Sequence, residues 1–343
     1  MYARPLIIRC GALGDVVMLT TLLRLVAARY GSPVDVVGQG DWTEPLLRHE
    51  PALGELRLLT SRNTPYWLNP SQWALVRWLK QRGHGPVYFC DGGGNAQALL
   101  RRAGIGDESI VRRLLSDDET NGSPHPWPDR WLSMGQRSPV RFPAPNVIDA
   151  APFRLPRLIV TDAERADLAQ WMAARGVRAP CVLFQPGNKR THKRGKMMTT
   201  DHPKHWNAAN WAAVAQAIWQ DLPDAQVLLC GSPKEKPLLE DIRAAAGHDP
   251  RLFNLADDLP VPRLLALIEH AHSMVSVDTG PAHAAAALGC PLVVMFGAAS
   301  PQKWRPIGHG AIRVLGGEKG DRSRVGDIPV DAVVAAWKGL GRA

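Results

Sequence analysis

Apolar and polar positions alternate along the chain with two different periods, and the switch between them maps the elements. In the first half, Pro5 to Cys10 is a short apolar run that reads as a strand, and Asp15 to Tyr30 has helical periodicity stopped at Gly31. Val34 to Val37 and Glu55 to Leu59 read as strands, Gln72 to Gln81 as a Trp-rich helix and Val87 to Cys90 as another strand. Asp117 to Pro145 is rich in Pro, Ser, Gly and Trp without clean periodicity and reads as loops, with a linker between Pro143 and Pro156.

The second half is more regular. Thr161 to Arg175 is a helix with Thr161 or Asp162 as N-cap and Gly176 past its end. Strand Cys181 to Gln185, helix Ala208 to Gln220, strand Gln226 to Cys230 and helix Lys234 to Ala246 follow. Then come helix Val261 to Ala271, strand Met274 to Val277, helix Ala282 to Leu288 and strand Leu292 to Phe296. Strands that are apolar throughout and alternate with helices imply parallel sheets covered on both faces. The expected class is therefore α/β, with a first domain over 1–150 and a second over 151–343. The last helix, Val330 to Leu340, is a candidate to pack back on the first domain.

At 343 residues the chain is comfortable for two domains. No stretch approaches the roughly 20 apolar residues of a membrane span. Leu6 to Ile8 ends at Arg9, which suits a first strand better than a signal peptide, so a cytoplasmic protein is expected. The five cysteines, Cys10, Cys90, Cys181, Cys230 and Cys290, lie in or beside apolar runs and form no C-x-x-C pair, so they read as buried thiols. The formal net charge of +9 calls for an anionic partner: nucleic acid, a phosphorylated substrate or an anionic membrane face. Zinc-finger spacing and RNA-binding signatures are missing, so nucleic acid is not expected.

Three strings can carry chemistry. Gly11-Ala12-Leu13-Gly14-Asp15 joins the first strand to the first helix, where glycines let backbone approach a ligand and the helix start favours an anion. The same spacing fits a plain first-turn acid, and it is not the G-x-G-x-x-G of dinucleotide binding. Asp278-Thr279-Gly280-Pro281-Ala282-His283 follows a buried strand, and its helix-start amides suit a diphosphate, although Asp278 alone is an ordinary N-cap type. Gln185-Pro186-Gly187-Asn188 leads into a basic run, Lys189 to Lys196, then Thr199, Thr200 and Lys204-His205-Trp206. A lysine ahead of a helix, with hydroxyls nearby, can neutralise a leaving phosphate, whereas a solvated basic loop explains Lys189 to Lys196 equally well.

Together these strings resemble glycosyltransferase family 9, the ADP-heptose:lipopolysaccharide heptosyltransferases. Ile7 to Val26 matches the family's opening pattern, Val182 to Trp206 its middle block and Val275 to Gly308 its C-terminal pattern. The resemblance implies a GT-B fold, two Rossmann-like domains facing each other across a cleft, with acceptor on the first and donor on the second. It implies an inverting reaction without metal or other cofactor, moving a heptose from an ADP-linked donor to a lipid-linked, anionic lipopolysaccharide core saccharide, with peripheral contact at the cytoplasmic membrane face. Asp15 matches the family's general base, with Gly11 and Gly14 in its acceptor-side loop. Lys204 matches the lysine at the donor phosphates, Thr199 and Thr200 the hydroxyls near it, and Asp278 the acid that holds sugar hydroxyls. Thr279, Gly280 and His283 match the diphosphate turn, and Glu235 the acid at the nucleotide ribose. The segment between Gly187 and Lys204 is longer and more basic than the family's short form. A transferase using another nucleotide sugar, a GT-B sugar-nucleotide epimerase and a non-catalytic binding module are the competing readings; retention of both Asp15 and Lys204 argues against the last.

Overall fold

A computed structural model describes residues 2–61, 63–91, 94–113, 125–187 and 202–341. Thr199, Thr200 and the basic run 189–196 lie outside the described residues. The chain divides into two compact units, Met1–Ile159 and Val160–Ala343.

In the first unit the elements are β1 (Leu6–Ile8), α1 (Leu13–Tyr30), β2 (Val34–Gln39), α2 (Thr43–Leu47), β3 (Leu53–Leu59), α3 (Pro70–Arg82), β4 (Val87–Phe89), α4 (Gly94–Arg102), β5 (Ile110–Arg112) and α5 (Trp127–Gln136). Among the described residues its sheet has the order β3-β2-β1-β4-β5, all parallel. Both neighbours of β1 are in register with it, Ile7 opposite Val36 on one side and Tyr88 on the other, and its three residues are buried. Helix α1 ends where Gly31 takes a left-handed φ of 64°, which only glycine adopts without strain.

The second unit comprises α6 (Asp162–Arg175), β6 (Cys181–Gln185), α7 (Ala208–Asp221), β7 (Gln226–Leu229), α8 (Lys236–Ala245), β8 (Leu252–Asn254), α9 (Val261–His270), β9 (Ser273–Val277), α10 (Gly280–Ala287), β10 (Leu292–Phe296), α11 (Pro301–Trp304), β11 (Ile312–Gly316) and α12 (Val330–Lys338). Its described strands are ordered β11-β10-β9-β6-β7-β8, again parallel, which is the doubly wound Rossmann order. Every residue of β6, β9 and β10 is buried, as expected for strands covered on both faces. Thr161 starts α6 with a reciprocal cap: its hydroxyl accepts the Glu164 N–H at 3.3 Å, and the Glu164 carboxylate accepts the Thr161 N–H at 2.8 Å.

Three expectations need correction. Residues 117–145 are not all loop, because Trp127–Gln136 forms α5. Pro128 sits in its first turn, where the missing N–H costs nothing, and Gly135 brings the helix onto α1: a Cβ there would lie 2.8 Å from the Leu25 Cδ2. The two residues that read as breakers are therefore a starter and a packing position. Secondly, residues 151–159 belong to the first unit rather than the second. The Arg157 N–H donates to the Thr20 hydroxyl at 3.0 Å, its guanidinium pairs with the buried Glu50, and Arg24 donates to the Leu155 carbonyl at 3.0 Å. Thirdly, α12 packs on its own unit's sheet. Val333 and Trp337 join the core around β6 to β10, and the Trp337 indole N–H donates to the Ser273 hydroxyl at 2.9 Å.

Candidate functional site

Open parallel sheets bind ligands beyond the C-terminal strand ends, where neighbouring strands send their connections to opposite faces. That point lies between β1 and β4 in the first unit and between β6 and β9 in the second. Asp15 lies at the first and Lys204 and Asp278 at the second.

In the first unit the loop after β1 carries Gly11, Gly14 and Asp15. Asp15 is in the first turn of α1, and its carboxylate accepts the Ala12 N–H at 2.8 Å. The first-turn-acid reading therefore holds, but it is not the whole account. Arg9 pairs with the Asp15 carboxylate at 2.9 Å and with Asp91 at 3.5 Å, and donates to the Cys90 carbonyl at 3.2 Å. Asp91 follows β4, is fully buried and accepts the Cys10 N–H at 3.1 Å. Burial alone would lower the Arg9 guanidinium, yet the charges of Asp15 and Asp91 outweigh it and raise it. Gly11 is required by contact: a Cβ there would lie 2.5 Å from the Asp15 Cβ and 2.8 Å from its Oδ2. Beside this network, Arg9 and Arg113 lie over the rings of Trp131 and Trp127, which are 5.0 Å apart. Burial and the charge of Arg9 hold the Arg113 guanidinium below its ordinary value.

In the second unit, Lys204 Nζ donates to the Asp278 backbone carbonyl at 2.5 Å and pairs with its carboxylate at 2.7 Å. The two side chains keep 23% and 11% of their surface exposed, so the pair is reachable by a ligand. Lys204 is held in place from both sides. Pro203 accepts the Val325 N–H at 2.8 Å, and the fully buried Trp206 donates its indole N–H to the Ile328 carbonyl at 3.0 Å. Asp278 leaves β9 with its N–H on the Met295 carbonyl at 2.9 Å. Thr279 is the extended N-cap of α10, but its side chain caps nothing. Its hydroxyl lies 3.2 Å from the Ser276 Oγ instead, which leaves the Gly280 end of the helix without a side-chain cap. His283 is buried in the first turn.

Glu235 lies after β7, the strand next to β6 in the sheet. Its Oε2 accepts the Ser232 N–H and hydroxyl, each at 2.8 Å, while the buried Oε1 has no hydrogen-bond partner among the described residues. A Cβ on Gly187 would come within 2.2 Å of that oxygen, so the backbone after β6 lies directly against the acid. An unsatisfied buried carboxylate oxygen in a glycine-walled recess is an acceptor suited to a hydroxyl donor.

Sequence reasoning missed Arg9 and Asp91. Arg9 is a charge ending an apolar strand, and Asp91 precedes three glycines at another strand end, as Asp278 precedes Thr-Gly. All five cysteines are free and buried, and burial pushes the thiols of Cys181 and Cys290 up to about 11 and about 12.

The family model described as glycosyltransferase family 9 (heptosyltransferase) matches residues 156–326, which contain Lys204, Glu235 and Asp278. Lipopolysaccharide heptosyltransferase 2 of Escherichia coli is 25% identical over 323 residues, covering 90% of this chain and 88% of that one. The solved structure of E. coli ADP-heptose lipopolysaccharide heptosyltransferase II shares the fold at a TM-score of 0.74 and 22% identity, over 98% of both chains. A second E. coli heptosyltransferase, solved with ADP, does so at a TM-score of 0.67 and 17% identity, over 98% of this chain and 100% of that one. Two Rossmann-like sheets with the GT-B likeness, and the motif residues gathered at both switch points, agree with these matches: the chain is a glycosyltransferase and belongs to glycosyltransferase family 9.

Proposed function

We propose that this protein transfers a heptose from an ADP-linked donor to a lipid-linked, anionic saccharide of the lipopolysaccharide core, with inversion and without a metal ion, at the cytoplasmic membrane face. Heptosyl transfer onto lipopolysaccharide is supported by the heptosyltransferase relatives, and the ADP-linked donor by the two E. coli structures that share the fold, an ADP-heptose heptosyltransferase and a heptosyltransferase holding ADP. The observation that carries the reading is the Lys204–Asp278 pair at the second unit's switch point, beside the uncapped start of α10.

The chemistry follows from charge. The acceptor hydroxyl oxygen forms the new bond to the anomeric carbon as its proton passes to the Asp15 carboxylate. The bond from that carbon to the donor phosphate breaks, and the nucleoside diphosphate leaves with the electron pair. Lys204 and the first amides of α10 offset the developing negative charge, the task a divalent ion performs elsewhere. Asp278 holds sugar hydroxyls and Glu235 Oε1 accepts from the ribose. Thr279, Gly280 and His283 frame the diphosphate. Arg113, crowded by Arg9, suits an anionic group of the acceptor.

The test is incubation with ADP-heptose and truncated core acceptors, with mass spectrometry of the product and NMR assignment of its anomer. The expected product carries one heptose of inverted configuration, formed equally well in excess chelator. Asp15→Ala loses about a hundred to ten thousandfold in kcat and still binds donor. Retained configuration, dependence on added magnesium or near-normal turnover in Asp15→Ala would each overturn the corresponding part.

A further inference from the structure

Four of the seven exposed large hydrophobics among the described residues fall in one short stretch of the first unit: Leu58 (42% exposed), Trp67 (70%), Leu68 (55%) and Trp73 (43%). Trp67, Leu68 and Trp73 share one surface, whereas Leu58 lies on the other face of β3 from Leu59, which packs with α3. The Trp73 indole N–H donates to the Tyr66 carbonyl at 2.6 Å, which ties the Tyr66–Leu68 turn to helix α3, and α3 packs on β3. Solvent-facing tryptophans of this size are costly to leave in water and mark a surface that something covers.

The charge around them says what. From Leu56 to Arg82, and again from Gly92 to Gly106, the chain contains no Asp or Glu. Helix α3 buries Gln72, Leu75, Val76 and Leu79 and turns Trp73, Arg77 and Lys80 outward at positions i, i+4 and i+7. Helix α4 packs beside α3 and ends in the exposed Arg101 and Arg102, the latter 4.6 Å over the Tyr66 ring. None of these four cations has an ion-pair partner among the described residues, whereas Arg57 and Arg82 are paired with Glu55 and Asp35. An aromatic tip ringed by unpaired cations matches the interfacial region of an anionic bilayer: indoles settle at the headgroup level while Lys and Arg meet lipid phosphates.

We propose that the Tyr66–Leu68 turn, with the exposed faces of α3 and α4, is a docking surface for an anionic lipid bilayer. The inference rests on the reading of the acceptor as lipid-linked, since docking brings the enzyme to the surface where that substrate resides. It concerns different residues from the basic run at 189–196.

The experiment is flotation of the full chain with phosphatidylethanolamine–phosphatidylglycerol vesicles and with phosphatidylcholine vesicles, at low and moderate salt. Neither donor nor acceptor is present, so failure here leaves the transfer reaction untouched. The native chain is expected to float with the anionic vesicles and much less with the neutral ones. Trp67→Ser with Leu68→Ser lowers the partition coefficient about tenfold at both salt concentrations. Arg77→Gln with Lys80→Gln and Arg101→Gln lowers it about tenfold at low salt and by less at moderate salt, where screening has already weakened the attraction. All five positions are exposed, so the variants keep the native circular dichroism, and both keep native kcat on a water-soluble core fragment. Equal flotation with neutral vesicles, native flotation of both variants, or a native dimer that Trp67→Ser converts to monomer would overturn the assignment.

Discussion

Removing Arg9 tests whether the first unit's loop is a positioned site or only a helix cap. In Arg9→Met the shape of the side chain is roughly kept and its charge is lost. Asp91, with no exposed surface, then retains the Cys10 N–H but loses the Arg9 guanidinium 3.5 Å away. Stripping one partner from a buried pair costs about 3–5 kcal/mol. The Asp15 half contributes less, because that carboxylate keeps 20% of its surface in water and is partly screened. Loss of the contact over the Trp131 ring adds about 0.5–1 kcal/mol. We expect about 4–6 kcal/mol of destabilisation by urea unfolding, most of it from Asp91. Turnover is expected to fall as well, since among the described residues Asp15 then keeps the Ala12 N–H alone, and misplacement by about 1 Å is worth about a hundredfold in rate. Arg9→Lys restores a cation without the two-pronged reach and recovers part of both losses. A destabilisation below about 1 kcal/mol, with kcat within about threefold of native, would refute the argument.

Three further perturbations probe the second unit. Gly187→Ala places a Cβ 2.2 Å from the Glu235 Oε1 and is expected to raise donor KM about tenfold with little change in acceptor KM; an equal rise in both would separate Glu235 from the donor. Trp206→Ala empties a fully buried site, edge-on to Trp211 at 5.2 Å, and strands the Ile328 carbonyl, so thermal unfolding should show a loss of about 3–5 kcal/mol; a loss under about 1.5 kcal/mol would mean the neighbours collapse into the space. Burial lowers the proton affinity of His205, so its folded pKa lies below the unfolded value of about 6.5. The unfolded chain then binds more protons, stability is full above about pH 6.5 and falls as pH drops through the folded value, and His205→Gln flattens that limb; an unchanged slope in urea melts at stepped pH would contradict this.

Where the sequence was legible, local chemistry decided the outcome. Cys181–Gln185 and Leu292–Phe296 are strands with the expected bounds, because each is a short run with nothing but buried residues, entered from Pro180 and Pro291. Thr161 and Gly176 mark the ends of α6 because cap and left-handed stop are single-residue decisions. Illegible features depended on partners far along the chain. Strand β5 is three residues long and exists because it pairs with β4, and α4 begins in a run of glycines. Arg9 and Asp91 are 82 positions apart, and neither has meaning until β1 and β4 pair side by side. Asp15 and Asp278 stood out for the opposite reason, since each lies in a strand–turn–helix unit whose punctuation is local, whereas Glu235 came only from the family resemblance.

The two units solve the same problem by the same construction. In each, a cation arrives on the connection after the first strand of its sheet and an acid on the connection after the fourth, and the two meet at the point where the strand order reverses. The difference lies in burial. Asp91 is sealed and Arg9 keeps 10% of its surface, so that pair is spent on holding a loop, and the group left facing solvent is the Asp15 carboxylate at 20%. Lys204 and Asp278 are both reachable, so their pair can open toward a ligand at modest cost, one charge turning to a phosphate and the other to hydroxyls. In the proposed reaction one switch point therefore presents a fixed anion to the acceptor. The other presents an exchangeable cation beside the positive end of a helix, able to receive the charge that the leaving group carries away. That division of charge matches the two halves of a displacement at an anomeric carbon, and it arises from where each sheet buries its salt bridge rather than from any difference in topology.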